Sequence, residues 1–135
     1  MQRTRYSAPM TVLSVALGGA IGASLRFGVG AWTLRVFGSG FPVGTMLVNV
    51  LGSLMMGVAA VAMLHKFSGT LGTYAPFVMT GILGGFTTFS AFSLDALNLI
   101  ESGRMANAIF YVAGSVVLSI GALFVGLSLG RAIWP

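Results

Sequence analysis

The sequence predicts an all-α integral membrane protein, four transmembrane helices in a single domain covering 1–135, and two observations carry that prediction. Of the 135 residues, 56% are hydrophobic and 7% charged, against about 25% charged in a soluble domain. That is too little charge to keep a surface wet. The apolar residues also fall into four runs, each long enough to supply the ~20 residues that cross a hydrocarbon core.

The first span runs from Met10 to Phe37, interrupted only by Arg26 and ending near Arg35. A cleaved signal peptide is the competing reading of this segment, since Arg3 and Arg5 precede an apolar run. The pattern continues past Arg26 to Phe37, longer than a signal h-region, which argues against it. Gly38-Ser39-Gly40-Phe41-Pro42 is a turn signal. The second span, Val43 to Leu64, carries no charge and is closed by His65-Lys66. A loop rich in Gly, Ser and Thr follows from Phe67 to Thr73. The third span extends from Tyr74 to Ile100, stopped by Glu101-Ser102-Gly103-Arg104, and the fourth from Met105 to Ala132.

The net charge of +5 arises from cations placed singly between the apolar runs, which is how spans are flanked. Nucleic acid is therefore not a partner; the lipid bilayer is. With no cysteine, one histidine and two acids, the chain lacks the base, nucleophile or carboxylate pair of an enzyme and the usual side-chain ligands of a metal. Four spans place both termini on one side, with Arg3, Arg5, Lys66 and Arg131. Arg35 and Arg104 lie on the other, joined by Arg26 if it reaches the interface. So weak a bias fits an inside N-terminus and equally fits insertion in both orientations with antiparallel pairing.

Several residues do not belong in lipid. Gly18, Gly22, Arg26 and Gly30 recur every fourth residue along one face of the first span, and the glycines suit close helix packing. Arg26 either anchors a helix end or lines an aqueous vestibule; the cost of a deep arginine favours the anchor. Thr45, Asn49 and Ser53 share a face of the second span, and Asn107, Tyr111, Ser115 and Ser119 a face of the fourth. Such stripes are either interhelical glue or, as two acid-free rows of N–H and O–H donors, a track for a small anion. In the third span, Gly84-Gly85 followed by Thr87-Thr88 is poor helix material. It is either a packing notch or a helix break, whose freed carbonyls must face protein or a cavity and are good ligands for Na⁺. Phe89 and Phe92 lie on one face, and their positive ring edges could help hold an anion.

Taken together, these segments resemble the Fluc (CrcB) family of small bacterial fluoride channels over essentially the whole chain. The resemblance rests on Gly18-Gly19-Ala20-Ile21-Gly22-Ala23 with Arg26, on Gly44-Thr45-Met46-Leu47-Val48-Asn49 with Gly52, and on Gly81 through Phe92, above all Gly84-Gly85-Phe86-Thr87-Thr88-Phe89-Ser90. It implies an antiparallel, dual-topology homodimer in the bacterial plasma (inner) membrane, with a broken third helix and two pores for passive, selective fluoride export that relieves fluoride toxicity. It implies a structural Na⁺ at the dimer interface, held by the backbone carbonyls of Gly84 and Thr87. Phe89 and Phe92 would be the pore phenylalanines, with Thr88 beside them, Asn49 the amide donor, and Tyr111, Ser115 and Ser119 the polar track. Arg26 would match the arginine near the end of the first span. Asp95 stands where the family pattern has a glutamate, a departure that leaves its role open. The rivals are a small dual-topology multidrug exporter, which needs a deep acid that only Asp95 could supply, and a non-conducting tetraspan scaffold subunit.

Overall fold

The structure is a computed structural model and describes residues 8–67 and 74–135. Arg3, Arg5 and the loop expected over Phe67–Thr73, apart from Phe67 itself, lie outside the described residues. Among the described residues the chain is all helical: α1 (Ala8–Phe37), α2 (Val43–His65), α3 (Pro76–Leu83), α4 (Gly84–Phe86), α5 (Phe89–Glu101) and α6 (Met105–Ile133). Helices α1, α2 and α6, and the run Pro76–Glu101 formed by α3, α4 and α5, are long and apolar enough to cross a membrane. Exposed apolar side chains such as Leu13, Leu17, Phe27, Val117 and Phe124 cover their outer faces, the arrangement expected where the solvent is hydrocarbon.

Two of the turns use glycine where the backbone requires it. Gly38 ends α1 at φ 74°, and its N–H bonds the Leu34 carbonyl at 3.0 Å. Gly103, at φ 76°, closes α5: its N–H reaches the Ile100 carbonyl at 3.0 Å and that of Arg104 reaches Leu99 at 2.9 Å. This paired pattern satisfies the last carbonyls of a helix. The Arg104 guanidinium then donates to the Gly40 carbonyl, joining the α5–α6 turn to the α1–α2 turn at the same end of the bundle.

Small residues set the packing. Helix α1 lies along α3, where a Cβ on Gly81 would come within 2.9 Å of Gly18 Cα and one on Gly22 within 2.8 Å of Phe86 N. Helices α2 and α6 make the most extensive contact. A Cβ on Gly57 would lie 2.7 Å from Leu127 N, and one on Gly130 would lie 2.7 Å from Val61 Cβ. Backbones approach this closely because dispersion and geometry, rather than expulsion of water, hold helices together in lipid. Gly30 differs from Gly18 and Gly22 in that a Cβ there would meet nothing; it instead makes room for Gly44 of α2, whose added Cβ would lie 3.2 Å from Gly30 Cα. A small cluster of Phe92, Leu99, Ala108 and Tyr111, flanked by Phe41 and Met46, fills the space between α5, α6 and the α1–α2 turn.

The third span is not a uniform helix. From Pro76 to Leu83 it is wound as a wide π-helix, a form usually confined to single turns. After the short α4, Thr87 (φ −87°, ψ 157°) and Thr88 (φ −155°, ψ 120°) are extended, and α5 starts at Phe89.

Candidate functional site

The extended pair Thr87-Thr88 is held by side chains. Asn49 of α2 uses both ends of its amide on Thr88: Nδ2 donates to the Thr88 carbonyl at 2.9 Å, and Oδ1 accepts from the Thr88 N–H at 2.7 Å. The Thr88 hydroxyl caps α5 by accepting from the Ala91 N–H at 3.1 Å and lies 3.2 Å from the Ser90 hydroxyl. The Thr87 hydroxyl turns back to the Leu83 carbonyl at 2.9 Å. In an unbroken α-helix the N–H groups of Thr88 and Ala91 would bond the carbonyls of Gly84 and Thr87. Here both are diverted to side chains, so these two carbonyls lose their helical donors. Gly84 is exposed, and a Cβ built on it would meet only the Met79 carbonyl, at 3.6 Å. Among the described residues no three His, Cys, Asp or Glu side chains come together as a metal site. Backbone oxygens are the hard-cation ligands that this segment offers.

Beside the extended pair runs a groove of about 360 Å³, lined among others by Asn49, Thr87, Thr88, Phe92, Ser115 and Ser119. The hydroxyl oxygens of Ser115 and Ser119 are buried and have no hydrogen-bond partner among the described residues. A buried polar group left unpaired costs about 1–3 kcal/mol, and each of these two hydroxyls has an O–H to donate on the side of the groove. Phe89 and Phe92 flank the groove with ring centroids 5.4 Å apart. Their environments differ sharply, Phe92 being 8% exposed and Phe89 78%. Ile120 on the facing lip is also exposed, at 64%, so the apolar margin of the groove has no cover among the described residues.

Tyr111 sits one step further along. It is fully buried, its ring 5.3 Å from that of Phe92 and 5.6 Å from that of Phe41, and its hydroxyl donates to Asp95 at 3.1 Å. Asp95, Asn98, Thr45 and Arg104 line a second cavity of about 310 Å³ under the α1–α2 turn. Arg26 lines a third, of about 350 Å³, with Thr45, Thr88 and Ala91. Arg26 is about three helical turns short of the end of α1 and faces this cavity.

The structure thus brings Asn49, Thr87, Thr88, Phe89, Phe92, Ser115 and Ser119 to one groove. It sets Tyr111 behind Phe92 and Arg26 on the neighbouring cavity. The two sequence stripes divide: Thr45 faces the cavities, while Asn49 and Ser53 face the groove. Asn107, grouped by spacing with Tyr111, is exposed. Sequence reasoning missed two partnerships, Asn49 with the Thr88 backbone and Tyr111 with Asp95. A polar side chain opposite a helix breaker was the available signal for the first; the second joins residues on different spans and left none.

Residues 13–127 match the family described as CrcB-like protein, Camphor Resistance (CrcB). A Cereibacter sphaeroides protein named fluoride-specific ion channel FluC is 54% identical over 121 residues, covering 90% of this chain and 94% of that one. Proteins of the same name from Ruegeria sp. and Agrobacterium fabrum are 53% and 43% identical, over 92% and 93% of this chain and 97% and 99% of theirs. The match runs from within α1 to within α6, through α2 and the Gly84–Ser90 segment, and on it the chain belongs to the CrcB family.

Proposed function

We propose that the chain is a fluoride channel of the bacterial inner membrane, letting fluoride leave passively and selectively down its gradient and so relieving its toxicity. The observation that carries this reading is the pair of buried, unpartnered hydroxyls of Ser115 and Ser119 in a groove with no acidic side chain along it. A dehydrated anion needs several donors. Conduction needs binding strong enough to replace hydration yet weak enough to release the ion. Neutral hydroxyls meet both demands better than a buried cation would. The second N–H of Asn49, left over from its bond to Thr88, adds a donor, and the edges of Phe89 and Phe92 supply weak positive potential. Tyr111 extends the row, with its proton held toward Asp95 until an anion competes for it.

The uncovered margin at Phe89 and Ile120 supports a groove closed by a second copy, so that an antiparallel dimer holds two pores. The broken third helix would sit at that interface. The carbonyls of Gly84 and Thr87, stripped of their helical donors, fit a hard cation in chemistry, and Na⁺ held there by both copies would offset their mutual repulsion. Arg26, at depth on an adjoining cavity, would raise the local concentration of anions in a vestibule.

The test is efflux from liposomes holding the purified chain, read with a fluoride electrode beside chloride-loaded vesicles. Rapid fluoride release with no chloride release is the expected outcome. No release from a chain that remains dimeric would overturn the channel reading.

A further inference from the structure

Among the described residues the two ends of the bundle carry two cations each, and what separates them is acid. Both acids belong to α5, Asp95 within it and Glu101 as its last residue, and Glu101 shares its end of the bundle with Arg35 and Arg104. At the opposite end α2 and α6 finish side by side, pinned by the contact of Gly130 with Val61. That rim carries Lys66, next to His65 at the close of α2, and Arg131 in the last turn of α6, all three exposed. Neither Lys66 nor Arg131 is in an ion pair among the described residues.

Aromatic rings position the Lys66 ammonium. Its Nζ lies 5.9 Å from the ring centroid of Trp134 and 6.0 Å from that of Phe67, within the range of a cation–π contact. Phe67 in turn meets Tyr74 edge-on at 6.0 Å. Rings fix the place of a cation without cancelling its charge, as a carboxylate would. Trp and Tyr also prefer the boundary between acyl chains and headgroups, so this rim lies at headgroup level.

We propose that the acid-free rim at the shared end of α2 and α6 is a docking surface for the headgroup of an anionic phospholipid. Lys66 and Arg131 attract its phosphodiester, and Trp134 seats the glycerol and upper acyl region. Charge complementarity selects this occupant: a zwitterionic lipid offers the same phosphate beside its own cation, and so gains less from the rim. The proposal rests on the membrane-spanning helices and not on the ion conducted.

The chain has two tryptophans, and they report on opposite ends. Trp32 lies near the end of α1, beside Phe37, whereas Trp134 is on the rim. Trp32→Phe therefore leaves one reporter at the rim, and Trp134→Phe leaves one at the far end. Each is reconstituted in phosphatidylcholine vesicles containing a small fixed fraction of brominated phosphatidylglycerol or, in parallel, brominated phosphatidylcholine. Bromine quenches only nearby tryptophan, and an antiparallel assembly changes nothing because both leaflets carry the label. Trp134 should be quenched more by the anionic lipid than by the zwitterionic one, and Trp32 by a smaller margin, because Glu101 offsets the cations of its end. In the Trp32→Phe background, Lys66→Gln and Arg131→Gln should each reduce the local enrichment by up to about fivefold, while Lys66→Arg should retain it. Equal quenching of Trp134 by the two lipids would overturn the proposal. So would the same preference at Trp32, or a preference that survives the double neutralisation, since the two cations would then serve only to complement the helix C-termini.

Discussion

Asn49 turns both ends of one amide to one backbone unit, so its removal is felt twice. In Asn49→Ala, Thr88 loses a donor and an acceptor together, at a combined cost of about 1–2 kcal/mol by the usual worth of interhelical bonds in membranes. We expect a lower melting temperature in detergent and slower fluoride efflux, measured on the same preparation. Asn49→Asp separates the two bonds, keeping an acceptor for the Thr88 N–H while setting an oxygen against the Thr88 carbonyl. Ser115 makes the opposite case. Its hydroxyl has no partner among the described residues, so Ser115→Ala should leave the melting temperature unchanged or raise it. If that hydroxyl meets the ion, efflux should still fall by about tenfold for each 1.4 kcal/mol of lost interaction. A variant that melts as the parent does and conducts as the parent does would remove Ser115 from the path.

At the scale of elements, most of what is local was legible. Gly38 to Pro42 and Glu101 to Arg104 punctuate apolar runs, and helices stop beside them: α1 ends at Phe37, α2 begins at Val43, α5 ends at Glu101 and α6 begins at Met105, whereas α1 starts at Ala8, two residues before Met10, where no such signal stands. The π-helical winding of Pro76–Leu83 was not legible, because propensity rules describe the choice between helix and coil, and nothing in the run itself favours bonding to the fifth residue. Its surroundings are the backbone of α1, close enough that no side chain fits between Gly18 and Gly81. The pairing of Asn49 with Thr88 was hidden for a related reason: it spans 39 positions, and periodicity reports only neighbours on one helix. The same geometry predicts a contrast between glycines. Gly81→Val would force atoms against Gly18 Cα and the Val15 carbonyl, 2.9 and 3.1 Å from the added Cβ, and should destabilise by about 1–3 kcal/mol. Gly28→Ala meets nothing within 4 Å and should be neutral. Thermal melts of the two variants beside the parent test this.

For the whole molecule, one face of α6 holds exposed Val117, Ile120 and Phe124, with Phe89 across the groove. If a second copy covers that face, light scattering should give the mass of two chains, and Ile120→Lys should yield single chains that no longer release fluoride. A dimer that survives this substitution would place the interface elsewhere. The extended Thr87-Thr88 pair also bears on how the chain enters the membrane during synthesis. It divides the least hydropathic of the four spans, whose apolar 18-residue stretch has a mean hydropathy of 1.5, into α3 with α4 and then α5, each well short of the ~20 residues that partition into lipid as a unit. With exposed backbone at its middle, the nascent third segment would be a poor substrate for lateral release on its own. It should leave the translocon only once α6 follows, or against α1 already in place. Glycosylation mapping of truncated chains would register this as poor insertion of the isolated segment and recovery when α6 is appended.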